Sequence, residues 1–217
     1  MTGFTTWDIL RNLLLAARWT IALSLIAFLG GFLLGAGLLL LRLSGRRWAR
    51  RATGLYVQLF QGTPLLIQLF LCFFGLALVG LDLPPLAAAA VALTLYAAAF
   101  LSEIWRGAVE SVPRGQWEAA RALALTWPQQ LRLVILPQAL RVAIAPTVGF
   151  LVQVVKGTAL ASVIGFVELT KAGTIIVNAT FDSARTYGFV ALFYFALCYP
   201  IALAATALER RLARGVR

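Results

Sequence analysis

Few side chains in this sequence are equipped for chemistry, and they fall in two places. Glu118 lies between Arg114 and Arg121, four residues after the first and three before the second. On a helix the three share a face. An exposed carboxylate there either pairs with its own arginines, for little energy, or meets a partner. The second place is inside long apolar runs. There Glu103 and Lys156 are ionisable, and Gln61, Thr63, Gln153, Thr158 and Ser162 are neutral hydrogen-bonding groups. Polar groups at membrane depth are costly and mark pathways or helix–helix contacts. Three roles fit Lys156: a cation for a substrate carboxylate, an ion-pair partner of Glu103, or a snorkelling side chain. Glu103 is either a pathway residue or the i+3 partner of Arg106. For each neutral group the simplest role is a hydrogen bond between helices.

Other chemistry is excluded by what is missing. There is no histidine, and the two cysteines, Cys72 and Cys198, lie inside apolar runs as small hydrophobes. No zinc spacing or disulfide framework is present. Lys156-Gly157-Thr158 lacks the preceding glycine of a phosphate loop. The chain is therefore expected to bind no metal, cofactor or ATP of its own and to be no enzyme. A membrane-embedded enzyme would need a catalytic set that these residues do not supply.

The elements that must position these groups are membrane spans. Hydrophobic residues make up 61% of the 217 positions and charged residues 12%, with a mean hydropathy of +0.89. A soluble domain is roughly half apolar and about a quarter charged. The net charge of +11 does not mark a nucleic-acid binder, because the arginines sit between apolar blocks rather than along one face. Five blocks emerge: Leu13–Leu41, Leu55–Leu81, Leu86–Trp105, Val142–Phe166 and Phe189–Leu208. Each is long enough, or nearly so, to cross about 30 Å of hydrocarbon as a helix. The first follows Asp8 and is too long for the core of a cleaved leader, so it reads as a retained span. Pro146 and Gly149 can break the fourth. Gly30, Gly31, Gly35 and Gly37 suit close packing of the first.

Arginines orient the spans. Arg42, Arg46, Arg47, Arg50 and Arg51 follow the first, Arg106, Arg114, Arg121, Arg132 and Arg141 follow the third, and Arg210, Arg211, Arg214 and Arg217 follow the fifth. Across the alternate connections Lys171 and Arg185 are balanced by Glu168 and Asp182. Five spans with the N-terminus outside and the C-terminus inside satisfy this bias. The cytoplasmic stretch from Gly107 to Leu136 then has a folded composition. Pro113 starts a helix running to about Leu125, with Trp117, Ala120, Leu123 and Ala124 on an apolar strip. Thr126-Trp127-Pro128-Gln129 starts a second, with a capping box, that ends by Pro137. A plain connector could be shorter, so this reads as a docking surface for a soluble partner. A stand-alone channel would not need it.

Ordered motifs extend this. Glu118-Ala119-Ala120 followed by Ile135-Leu136-Pro137 resembles the Glu-Ala-Ala loop of ATP-binding-cassette (ABC) importer permeases. Gln61-Gly62-Thr63-Pro64-Leu65-Leu66-Ile67-Gln68, Ser102 to Gly107, Val112 to Ala120, Leu136 to Arg141 and Ala161 to Gly165 resemble landmarks of the polar amino-acid permease group, over about Thr20 to Arg214. The resemblance implies an all-α, type I importer permease fold of about five transmembrane helices. It implies one transmembrane domain over residues 1–217 with a coupling loop at about 107–136, in a bacterial cytoplasmic (inner) membrane. An ABC ATPase dimer, carrying the ATP and Mg, would dock around Glu118, Ala119, Ala120 and Ala124. An extracytoplasmic amino-acid-binding protein would deliver substrate, and a second permease chain, identical or merely similar, would complete the pathway. The implied cargo is a polar amino acid; a permease of the same type for an osmolyte or opine is the alternative. Three positions depart from the pattern: Ala124 replaces the usual loop glycine, Gln61 the usual arginine, and Lys156-Gly157-Thr158-Ala159-Leu160 differs from Lys-Asn/Asp-Thr-Ser-Leu.

Overall fold

The structure is a computed structural model and describes residues 5–214. Arg217, one of the C-terminal arginines, lies outside the described residues. Every regular element described is helical: α1 (Thr6–Leu43), α2 (Arg47–Gly62), α3 (Leu65–Leu78), α4 (Pro85–Glu110), α5 (Arg114–Ala122), α6 (Trp127–Ser162), α7 (Leu169–Thr180) and α8 (Ser183–Arg214). Helices α1, α4, α6 and α8 are each long and apolar enough to cross a bilayer. Helices α2 and α3 are apolar enough only as a pair, in the manner of a broken span or a re-entrant loop, which makes four to five spans in all.

Local chemistry sets the ends. The Thr5 backbone N–H donates to Asp8 at 2.9 Å, and the Asp8 N–H donates back to the Thr5 hydroxyl at 3.2 Å, closing a capping box on α1. Pro85 opens α4 at a position where a missing N–H costs nothing. The core between α1 and α4 is made of small residues. A Cβ on Gly31 would lie 2.5 Å from the Ala97 Cβ, and one on Gly35 would lie 3.1 Å from the Ala98 carbonyl oxygen. Gly30 faces Thr94 in the same way. Gly37, expected with them, faces open space instead, because it lies on the other side of α1. Around this seam Leu23, Ala27, Leu69, Ala92, Leu93, Phe150 and Val154 form the main core.

Three expectations need correction. The run Leu55–Leu81 is not one straight helix, for α2 and α3 meet at 104°. Pro64 lacks the N–H a helix needs and disfavours helical backbone at Thr63, whose φ of −117° and ψ of 143° are extended. Second, Pro137 does not end a helix. The turns before it widen, with the Leu136 N–H reaching back five residues to Leu131, and this gives the ring room. Third, Pro146 does not break the fourth span. It sits inside a continuous helix at the loss of one hydrogen bond, which packed neighbours tolerate. The break comes later, where Thr158–Ser162 tightens into 3-10 geometry and Gly165 turns the chain at φ +89°. Helix α7 was not expected at all. It packs Leu169, Ala172 and Ile176 on Ile9, Leu13, Ala16 and Ala17, forming a second core at the N-terminal end of α1.

Candidate substrate pathway and coupling loop

The stretch between α4 and α6 folds as the sequence suggests, as a short helix and a turn. Helix α5 lies against the first turns of α6, with Trp117 packed on a small core of Val109, Val112, Leu131 and Ile135. Ala120 is buried on this inner side. The outer side presents Glu118 and Ala119, with Leu123 at 73% exposure and Trp127 at 45%. Among the described residues Glu118 makes no ion pair, so Arg114 and Arg121 leave it free. The Thr126 N–H donates to Gln129 Oε1 at 2.8 Å, as the capping-box spacing requires.

Ala124 stands in the left-handed region at φ +53°. The Leu125 N–H donates to the Ala120 carbonyl at 3.2 Å and the Ala124 N–H to Arg121 at 2.9 Å. This pair of bonds is the Schellman close of a helix, whose left-handed position favours glycine. The alanine therefore stores modest strain. Ala124→Gly is expected to stabilise the loop by about 1 kcal/mol. Slower amide exchange across 119–126 is the readout; faster exchange contradicts it.

At the arginine-rich end Glu103 accepts from Arg42 at 2.6 Å and from Arg106 at 2.7 Å, and Arg106 also pairs with Glu110. The expected reach to Arg106 is present, but the suggested pair with Lys156 is not. The reason is depth. Trp105 Nε1 donates to the Thr147 hydroxyl at 2.9 Å, and Lys156 lies nine residues further along α6, about 13 Å at the helical rise. Lys156 and Gln153 are exposed together, one turn apart.

The elbow between α2 and α3 meets the turn that ends α6. A Cβ on Gly157 would lie 3.1 Å from Leu65 Cδ2 and 3.2 Å from Leu93 Cδ2, so the glycine admits this approach. The chain thus brings the start of α3, just after the Gln61–Thr63 segment, against Gly157. The hydroxyls here donate within their own turns, although Thr63 also accepts from Gln68 of α3, a bond between helices of the kind expected. Thr63 donates to Leu59 O, Thr158 to Val155 O and Ser162 to Ala159 O, each within its own turn. Gln61 is exposed and Thr158 buried.

Gln68 holds the elbow. Its Nε2 donates to Phe60 O at 2.9 Å, Thr63 O at 3.1 Å and the Thr63 hydroxyl at 2.9 Å. Those carbonyls lost their helical donors at Pro64. Gln68→Leu leaves them half-buried and without this donor, a cost of about 1 kcal/mol. Thermal unfolding of the purified chain in detergent should fall by several degrees; an unchanged Tm contradicts this role.

Glu168, wholly buried, caps α7. Its Oε1 accepts from the Lys171 N–H at 2.9 Å and its Oε2 from the Tyr194 hydroxyl of α8 at 2.7 Å. Tyr194 also contacts the Thr170 hydroxyl at 3.0 Å. Burial pushes the Glu168 carboxyl up, against the downward pull of these donors.

A family model described as the binding-protein-dependent transport system inner membrane component matches residues 27–216. The chain belongs to this family. It is 37% identical over 211 residues to the L-cystine transport system permease protein TcyB of Bacillus subtilis, covering 97% of this chain and 89% of that one. The probable amino-acid ABC transporter permease YckA of the same organism is 34% identical over 91% of this chain and 88% of its own. The glutamine permease GlnP of Escherichia coli is 32% identical over 95% of each. Among solved structures, an amino acid ABC transporter chain superposes with a TM-score of 0.90 at 29% identity, covering 97% of this chain and all of its own. A chain of the methionine transporter MetNI gives 0.80 at 25%, covering 98% of this chain and 99% of its own. The fold is that of type I ABC importer permeases.

Within this permease frame, Leu65, just after the elbow, reaches Gly157, and Glu103 is committed to two guanidinium groups. Glu118 and Ala119 face outward, while Ala120 faces the chain's own core. Sequence reasoning missed Gln68 and Glu168 as structural centres. Gln68 stood in a quoted motif; its spacing of four residues after Pro64 was the available signal for a side chain that turns back on the break. Glu168 was treated as a loop charge, though it stands one residue before an apolar helical run, where a capping carboxylate belongs.

Proposed function

We propose that this chain is the channel-forming permease subunit of a bacterial ABC importer that moves a polar amino acid into the cytoplasm. Its N-terminus lies outside and its C-terminus inside, in the cytoplasmic (inner) membrane. A separate ABC ATPase dimer binds and hydrolyses ATP with Mg. The single observation that carries this is the outward face of the 107–136 loop. An unpaired Glu118 beside exposed Leu123 and Trp127 is what a docking helix offers, and burial by a partner would remove that apolar area from water. The polar amino-acid cargo follows from the cystine, glutamine and amino-acid permeases among its relatives.

A second permease chain completes the pathway. Helix α8 supports this, since Leu192 and Phe195 are each 61% exposed and a groove of about 570 Å³ runs between α6 and α8 beside Pro146, Gly149 and Ala205. An extracytoplasmic binding protein delivers the amino acid. Gln61, Thr63, Gln153, Lys156, Thr158 and Ser162 are the pathway residues, with the exposed Lys156 cation placed for the substrate carboxylate. Glu103 serves the pathway indirectly, by fixing Arg42 and Arg106. Lys156→Gln is expected to raise the KM for uptake at least about tenfold, the loss of one charge-assisted hydrogen bond, with ATPase assembly intact. An unchanged KM removes Lys156 from the site.

A further inference from the structure

We propose that Glu168 is a positioning residue that ties helix α7 to the turn at the end of α6, so that movement of α7 is passed to the Lys156–Ser162 segment. This rests on the importer reading above.

The argument starts from what a buried carboxylate needs. Glu168 has no contact with water, yet both oxygens have donors: the Lys171 N–H on α7 and the Tyr194 hydroxyl on α8. A buried carboxyl is tolerated only when its oxygens are hydrogen-bonded, and both are here. Neither donor belongs to α6, so the pair joins two elements across the end of a third. The Thr158 hydroxyl, which donates to Val155 O, lies beside the Tyr194 hydroxyl. On the other side the Leu169 N–H donates to the Thr20 hydroxyl of α1 at 3.2 Å.

The connector between the two segments is short and stitched. The Phe166 N–H donates to Ala161 O at 3.1 Å, and the Glu168 N–H donates to Phe166 O at 3.1 Å. Six residues, 163–168, separate the 3-10 turn from α7, so a displacement of α7 has little slack to absorb it. Gly165, at φ +89°, is the flexible point in that connector. Without the Glu168–Tyr194 bond, α7 could pivot there and leave Thr158 where it is. With the bond, α7, α8 and the turn move together. Helix α7 packs on the N-terminal end of α1, opposite the Arg42–Glu103 pair at its other end, and this is the end a binding protein would reach.

The test uses the complete complex in proteoliposomes: this permease, its ATPase and its binding protein loaded from an equimolar mixture of the twenty amino acids. Glu168→Gln keeps the shape but has one acceptor oxygen for two donors, so the Lys171 N–H or the Tyr194 hydroxyl loses its acceptor. Tyr194→Phe removes the same bond from the other side. In both variants we expect basal ATP hydrolysis within about twofold of the parent. Hydrolysis stimulated by the loaded binding protein should fall at least about tenfold in kcat, with its half-saturation concentration unchanged. Glu168→Asp, which keeps the carboxyl group, should restore part of the stimulation. Stimulation equal to the parent in Glu168→Gln and Tyr194→Phe overturns the proposal. So does loss of basal hydrolysis and assembly in both, which would mark a purely structural role. If the unaltered complex shows no stimulation by any loaded binding protein, the importer reading has failed, and the Glu168 proposal falls with it.

Discussion

Glu118→Lys is expected to leave the permease folded in the membrane while abolishing ATP-driven uptake. The carboxylate is exposed and makes no ion pair among the described residues, so folding should change by no more than about 0.5 kcal/mol. Reversing a charge against a complementary partner surface costs several kcal/mol. At about 1.4 kcal/mol per tenfold in affinity, association with the ATPase should weaken at least about a hundredfold. Co-purification of the ATPase, compared between parent and variant, reads this directly. Ala119→Leu, beside it on the exposed side, should weaken association through bulk alone. If the Glu118→Lys chain retains its ATPase at the parent's affinity, the loop is not the docking site.

Gly31→Leu should prevent the permease from folding, and Gly37→Leu should not. The first would place a Cβ 2.5 Å from the Ala97 Cβ and 3.1 Å from backbone atoms of Ala97 and Ala98. Backbone cannot rotate away, so α1 and α4 must separate along their shared seam. Overpacking of this kind costs about 1–3 kcal/mol in forgiving sites; a backbone clash on the largest helix–helix contact belongs at or above the upper end. Gly37 has nothing within 4 Å of its would-be Cβ, and its variant should differ from the parent by no more than about 0.5 kcal/mol. Membrane accumulation and Tm in detergent of the two variants give the comparison. Equal losses in both would contradict the α1–α4 packing described.

Much of the fold was legible in the sequence because a bilayer demands one thing of every residue in a span. Long apolar blocks between arginine clusters are enough to place α1, α4, α6 and α8. Breaks are less legible. Pro64 and Pro146 look alike in sequence, yet only the first bends the chain. Gln68 turns back to satisfy the carbonyls freed at Thr63, while Pro146 rests in a helix packed on its neighbours. Pro137 is excused by a widened turn that no spacing rule announces. Of the candidate site, the capping box at Thr126 follows from local rules and is present, whereas the left-handed backbone at Ala124 is decided by the folded turn. Ala120 and Glu118 were grouped by a motif, but helical geometry turns them to opposite sides of α5. The pairing of Lys156 with Glu103 failed because hydropathy gives depth only coarsely, and the Trp105–Thr147 contact that sets the register is tertiary. Glu168 was hidden for the same reason. Its meaning depends on Tyr194, twenty-six residues away on another helix.

The central claim is that this chain carries an amino acid across a membrane on energy supplied by another subunit. The most direct measurement is ATP hydrolysis by the reconstituted permease–ATPase complex, with the binding protein present and each of the twenty amino acids added in turn. The account predicts stimulation by at least one polar amino acid, and its loss when Glu118→Lys replaces the parent chain. Stimulation by none of the twenty, from a complex that assembles and hydrolyses ATP at its basal rate, would contradict it.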